Sequence, residues 1–121
     1  MAIQKCKDLE VYNLSIEAAV SVHNETKKFP REEQYSLIDQ MRRSSRSISA
    51  NIREGFVKRK YPDVFVRHLN DALGSAEETL CWLDFSDRFG YLLKEKHEEL
   101  SKKYKQVCSM LYKLMQNWEK F

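Results

Sequence analysis

The stretch QMRRSSRSISANIREGFVKRKY, residues 40–61, holds both an architecture and a charge pattern. Together with Leu37 and Ile38 just ahead of it, Met41, Ile48, Ile52 and Phe56 fall within an arc of about 100° on a helical wheel. That is the buried stripe of one long amphipathic helix, expected from near Glu32 to about Val57, with Glu32 and Glu33 suiting its N-terminal dipole. On the same wheel Arg42, Arg46, Ser49 and Arg53 lie within about 60° of one another, clear of the apolar centre. The arginines therefore line one flank. Ser44, Ser45, Ser47, Ser49 and Ala50 are small enough to let a neighbouring helix approach closely, and Gly55 reads as a loosening of the helix end.

Charge is concentrated here. Between Arg42 and Lys60 stand seven basic residues (Arg42, Arg43, Arg46, Arg53, Lys58, Arg59, Lys60) against one acid, Glu54, so the window carries +6 in a chain whose net charge is +3. The rest of the chain is thus net acidic, and the local sign says more about partners than the overall pI of about 8.7.

Working outward, the 121 residues suggest one domain spanning residues 1–121. Three glycines and two prolines supply too little turn chemistry for a sandwich or barrel, and point to a few long helices. Asp8 is expected to cap a first helix running to about Lys28, with Leu9, Tyr12, Ile16, Ala19, Val20 and His23 on its core face. Lys27 and Lys28 suit the dipole of its last turn, and Phe29-Pro30 ends it. Pro62 and Asp63 open a third helix whose stripe is Phe65, Leu69, Ala72, Leu73, Ala76, Leu80 and Leu83, with Gly74 read as a close helix contact and Gly90 as the terminating glycine. A second apolar row, Trp82, Phe85 and Phe89, lies more than 90° from the first. A fourth helix is expected from about Leu93 to Phe121, with Leu100, Tyr104, Val107, Leu111, Leu114 and Trp118 alternating in steps of four and three. With loops of three to five residues these make an all-α, up-down-up-down four-helix bundle.

Further motifs are specific. Asp8-Leu9-Glu10-Val11-Tyr12, Thr26-Lys27-Lys28-Phe29-Pro30, Gln40-Met41-Arg42-Arg43, the run from Ser47 to Phe56, Ala72-Leu73-Gly74-Ser75 with Glu78, and Arg88-Phe89-Gly90-Tyr91-Leu92 occur in order along the chain. In these motifs the sequence resembles the bacterial 23S rRNA intervening-sequence proteins, also called the four helix bundle protein family. The resemblance implies an up-down bundle, a ring-like homo-oligomer, specifically a pentamer, and no known enzymatic activity. A distant branch of the family serves a reverse transcriptase as a nucleic-acid-binding accessory subunit. The sequence departs from the pattern at Ser49, where proline is frequent, and at Arg46 and Arg53, where small residues are. Tyr61 and Leu93 replace hydroxyl caps, so frayed starts are expected for the third and fourth helices.

Two readings of the basic strip follow. As a functional surface, Arg42, Arg43, Arg46, Arg53, Lys58, Arg59 and Lys60 would neutralise backbone phosphates, giving salt-dependent, largely sequence-independent binding of RNA or DNA, with RNA favoured by the family context. The alternative occupant is an acidic protein partner, with the bundle as an oligomeric adapter. The plain reading is a solvated face, or arginines paired to glutamates, which is what charge runs usually mean. Trp82, Phe85 and Phe89 are read as the oligomer interface, because aromatics anchor such patches; base stacking is the weaker reading.

No enzyme is expected: no metal site, no cofactor and no nucleophile constellation is legible, and a GxxxxGK phosphate loop is absent. Asn51, Glu54, Ser75 and Glu78 read as structural, with an Arg43–Glu78 pair fixing helix register. His23, His68 and His97 share no ligand spacing, while Cys81 and Cys108 read as small core residues. Cys6 joins them as a reduced thiol, so a cytoplasmic location is expected, with no membrane partner.

Overall fold

The computed structural model describes residues 3–118. Four helices, α1 (Glu10–Thr26), α2 (Leu37–Val57), α3 (Pro62–Arg88) and α4 (Lys94–Asn117), make up the molecule, with one-turn 3₁₀ segments at Cys6–Asp8 and Arg31–Glu33. No strand occurs among the described residues. Consecutive helices pack side by side and α4 closes back on α1, so each rod touches two others around one core. This is the expected four-helix bundle. The last residues expected in α4, 119–121, lie outside the described residues.

The apolar stripe of α2 is buried as the wheel predicts: Leu37, Ile38, Met41, Ile48, Ile52 and Phe56 are all core. In α3 Phe65, Leu69, Ala72, Leu73, Ala76 and Leu83 are buried, while Leu80 is only half-buried. In α4 Leu100, Tyr104, Val107, Leu111 and Leu114 are buried. Trp118 sets its ring edge-on to Phe65 at 4.4 Å between centroids.

Four details differ from expectation, each for a physical reason. Asp8 does not cap α1; its carboxylate accepts the backbone N–H groups of Gln4 and Lys5 at 3.1 and 3.0 Å, closing the preceding 3₁₀ turn, and α1 begins after Leu9. α2 starts at Leu37 rather than Glu32, because Arg31–Glu33 forms a separate turn and Ser36 leaves helical geometry at φ −125° and ψ −99°. The first connection, residues 27–36, is therefore longer than the expected three to five.

The core face of α1 keeps the expected Leu9 and Tyr12 but beyond them is turned by one residue: Val11, Ser15, Ala18 and Val22 are buried, Ala19 and His23 are half-buried, and Ile16 and Val20 are 41% and 56% exposed. The reason is polar. Ser15 and Ser49 meet in the core at 2.9 Å, and Ser15 also donates to the Tyr12 carbonyl at 2.7 Å. A serine at a helix crossing lets α1 and α2 come close while its hydroxyl finds a partner.

The glycines also exchange roles. A Cβ on Gly74 would meet nothing within 4 Å, whereas one on Gly55 would lie 2.6 Å from His68 Cβ. Gly55, not Gly74, is the close approach, and it binds α2 to α3 rather than loosening the helix end. The α2–α3 seam continues upward as hydroxyl pairs, Ser75 donating to Ser47 at 3.0 Å and Ser44 meeting Thr79 at 2.8 Å. Gly90, at φ +76°, ends α3 as expected. Neither Tyr61 nor Leu93 offers a side-chain cap, and their carbonyls instead accept from Val64 and His97 at 3.0 and 2.9 Å.

Candidate nucleic-acid interface

The seven basic candidates divide into three groups. Arg42, Arg46 and Arg53 stand along the α1–α2 seam, each fastened to α1 by a neutral group. Arg42 donates through Nε to Thr26 Oγ1 at 3.0 Å and through Nη2 to the His23 carbonyl at 3.4 Å. Arg46 donates to His23 Nδ1 at 3.2 Å, which fixes that imidazole as the tautomer protonated on Nε2. Arg53 donates to the Tyr12 hydroxyl at 3.0 Å and lies 5.6 Å from the centroid of that ring. From Arg42 to Arg53 the helix rises about 16 Å. Among the described residues none of these three guanidiniums forms an ion pair.

Arg43 lies apart. It is turned about 100° from Arg42 on the wheel and pairs with Asp39 at 3.0 Å. Lys58, Arg59 and Lys60 form a knuckle between α2 and α3. Lys58 reaches Glu54 at 3.5 Å, Arg59 stacks over the Phe56 ring at 3.9 Å, and Lys60 sits 5.9 Å from the Tyr61 ring. The strip proper is thus three arginines, with four cations outside it.

The electrostatics of the seam show in its histidine. Partial burial, then the charges of Arg42, Lys27 and Arg46, hold the pKa of His23 below its ordinary value, so near neutrality the ring is uncharged and free to accept from Arg46. The hydrogen bond from Arg53 to Tyr12 raises the guanidinium pKa further. Among the described residues no carboxylate pairs with Arg42, Arg46 or Arg53.

At the α1 end of this seam lies a feature the sequence did not disclose. A cleft of about 270 Å³ opens between the end of α1 and the start of α2, lined by Lys27, Arg31 and Arg42 with Thr26 and Gln34. Lys27 reads in the sequence as a dipole partner and Arg31 as a loop residue. Only the fold of residues 27–36 brings them beside Arg42. The signal was the basic pair flanking Phe29-Pro30, too short to distinguish from a solvated turn.

The aromatic row is a continuous surface. Ring centroids run 6.0 Å from Trp82 to Phe85, 5.8 Å to Phe89, 5.5 Å to Tyr91 and 5.4 Å on to Phe29. Phe85 and Phe89 are exposed, and with Tyr35 and Leu37 they border a groove of about 480 Å³. The expected Arg43–Glu78 pair is not formed. Glu78 instead accepts the Trp82 indole N–H at 3.1 Å, since Arg43 is held by its own helix neighbour.

The remaining polar candidates are structural. Asn51 donates to the Ser47 carbonyl and hydroxyl at 3.0 and 3.1 Å and takes His68 at 3.2 Å. His97 meets Asp84 at 3.0 Å. Cys81, expected in the core, is exposed, because it falls on the side of α3 opposite Leu83. The thiol of Cys108 is pushed up to about 12, by burial first and the adjacent Glu77 charge second. Among the described residues no cluster of His, Cys, Asp and Glu is placed to hold a metal ion, and no helix is long and apolar enough to cross a membrane.

Three comparisons bear on this geometry. No curated protein matches the chain. A crystal structure of a protein of unknown function from the S23 ribosomal protein family of Bacteroides thetaiotaomicron is similar to it at 31% identity, with a TM-score of 0.79 over 88% of this chain and 95% of that one. The family described as 23S rRNA-intervening sequence protein matches residues 7–113, which include all four helices except the last four residues of α4. The bundle, the motifs that compose it and this match agree: the chain belongs to the 23S rRNA-intervening sequence protein family.

Proposed function

We propose that this protein is a non-enzymatic nucleic-acid-binding protein that grips the phosphate backbone, of RNA by preference, along the α1–α2 seam. The observation that supports this reading is the line of Arg42, Arg46 and Arg53, held by Thr26, His23 and Tyr12 and, among the described residues, paired with no acid. Neutral acceptors orient a guanidinium without spending its charge, so the remaining N–H groups face a polyanion with full electrostatic strength. Contact with phosphates releases counterions, and affinity then depends on salt more than on sequence.

Self-association belongs to the same proposal. The row Trp82, Phe85 and Phe89, with exposed Tyr35, is the surface on which copies of the chain would meet. A ring of copies, the pentamer among them, would repeat the arginine line and raise affinity through avidity. Working in the cytoplasm suits three cysteines that form no disulfide.

A fluorescence-polarisation titration of a labelled RNA duplex against protein at several potassium chloride concentrations tests the proposal. The expected result is a slope of about −2 to −3 in log K against log salt per copy. Replacing Arg42, Arg46 and Arg53 by alanine is expected to flatten it. Affinity indifferent to salt, or unchanged in the triple variant, overturns the reading. Co-purification of an acidic protein that survives nuclease treatment would instead favour the adapter role.

A further inference from the structure

We infer that the cleft at the end of the arginine seam is a subsite for a terminal phosphate monoester, such as the phosphorylated end of a nucleic-acid strand lying along the seam. The inference rests on the seam's being the nucleic-acid face, but it adds a ligand group and residues outside that line.

The cleft differs from the open strip in shape and in charge. It is concave, and the connection of residues 27–36 crosses from α1 to α2 at that end of the seam. Its charged walls are all cationic: Lys27 from the end of α1, Arg31 from the connection and Arg42 from α2. None of the three forms an ion pair among the described residues, although acids are close in sequence. Glu25 is taken by Lys28 at 3.5 Å, and Glu33 by Ser36 and the Tyr91 hydroxyl at 2.6 and 2.9 Å.

Arg42 arrives positioned. Two of its five N–H groups are used on Thr26 and the His23 carbonyl, which leaves the others for a ligand. The His23 carbonyl, one of those in the last turn of α1, also accepts the Thr26 hydroxyl at 2.9 Å, so the negative end of that helix is partly countered by Arg42 itself. The amide of Gln34 adds a neutral donor at the rim.

Three cations around one cleft suit a group carrying two charges and three free oxygens. A terminal phosphate has both, with a second pKa near 6, whereas an internal phosphodiester carries one charge and two free oxygens. A strand following Arg53, Arg46 and Arg42 would meet the connection of residues 27–36 where it crosses from α1 to α2, which favours placing its end, rather than its middle, at the cleft.

The test has two arms. In the first, ¹⁵N-labelled protein is titrated with adenosine 5′-monophosphate and, separately, with adenosine. Shifts confined to Thr26, Lys27, Arg31, Gln34 and Arg42 with the monophosphate alone are expected. Equal effects of both, or shifts elsewhere, overturn the subsite regardless of whether the strip binds nucleic acid.

In the second arm, one RNA oligonucleotide is compared with a 5′-phosphate, a 3′-phosphate and hydroxyl ends. One phosphorylated end is expected to bind roughly tenfold tighter, as a charge-assisted contact would give. In the Lys27→Gln/Arg31→Gln variant that ratio should fall to about one, whatever happens to absolute affinity. A ratio of one in the wild type overturns the inference while leaving the strip intact. Failure of every oligonucleotide to bind, with the monophosphate still seated in the cleft, removes the strip and keeps the phosphate site.

Discussion

Two glycines and a histidine show how single residues govern this molecule. Gly55 sits against α3 with no room for a methyl group, and the nearest atom, His68 Cβ, is anchored to the backbone. Gly55→Ala should therefore push α2 and α3 apart and cost about 1–3 kcal/mol. Gly74 is exposed in mid-helix with open space around it, so Gly74→Ala should gain roughly 0.4–1 kcal/mol by stiffening the unfolded chain. Chemical denaturation of the two variants checks the pair, and the opposite ranking would falsify the assignment of the close contact. His23 supplies a pH dependence. Its folded pKa is below the ordinary 6.5, so the unfolded chain binds the proton more readily. This residue's contribution to stability is thus held at neutral pH and lost as pH falls through 6.5 and below. His23→Gln should remove that part of the acid sensitivity in melts run from pH 7.5 to 5, and Arg46→Gln should raise the histidine's pKa in an NMR titration.

At the scale of the element, legibility followed chemistry. α2, α3 and α4 bury hydrocarbon, and hydrocarbon spacing is visible in a sequence: every apolar residue assigned to the α2 core is buried. α1 misled because its crossing with α2 is made by Ser15 and Ser49, and a serine announces nothing about burial until its partner is known. Weighing Ile16 and Val20 as core turned the helix by one residue. The same limit hid the cleft, since Lys27 and Arg31 become neighbours of Arg42 only through the turn at residues 31–36. The Ser15–Ser49 contact can be measured. Ser15→Ala is expected to cost about 1–3 kcal/mol by orphaning the buried Ser49 hydroxyl, and Ser49→Ala less, because Ser15 keeps its bond to the Tyr12 carbonyl. The double variant should cost clearly less than their sum, a coupling that a thermodynamic cycle reads directly.

The whole molecule keeps its two specialised surfaces on different helix pairs: cations on the α1–α2 seam, aromatics along α3 toward the start of α2. Under the proposed function, assembly and polyanion binding would then not compete for the same residues. Phe85→Glu/Phe89→Glu should leave the helical signal intact, because both rings are exposed, while lowering the mass seen by light scattering to that of one 14.4 kDa chain. A mass unchanged by the double variant would assign self-association to another face, the exposed Ile16 and Val20 of α1 being the next to substitute.

The tethering of the arginines has one more consequence. Immobilising a long side chain on binding costs roughly 0.5–1.5 kcal/mol. Tyr12, His23 and Thr26 hold the three arginines by hydrogen bonds before any ligand arrives, so part of that cost falls on folding rather than on binding. Lysines at 42, 46 and 53 would keep the same net charge and the same salt slope, yet lose the planar fork that these acceptors hold. Binding should weaken in that triple variant through entropy, visible as a less favourable TΔS in calorimetry, and the strip is in this sense preorganised by its own first helix.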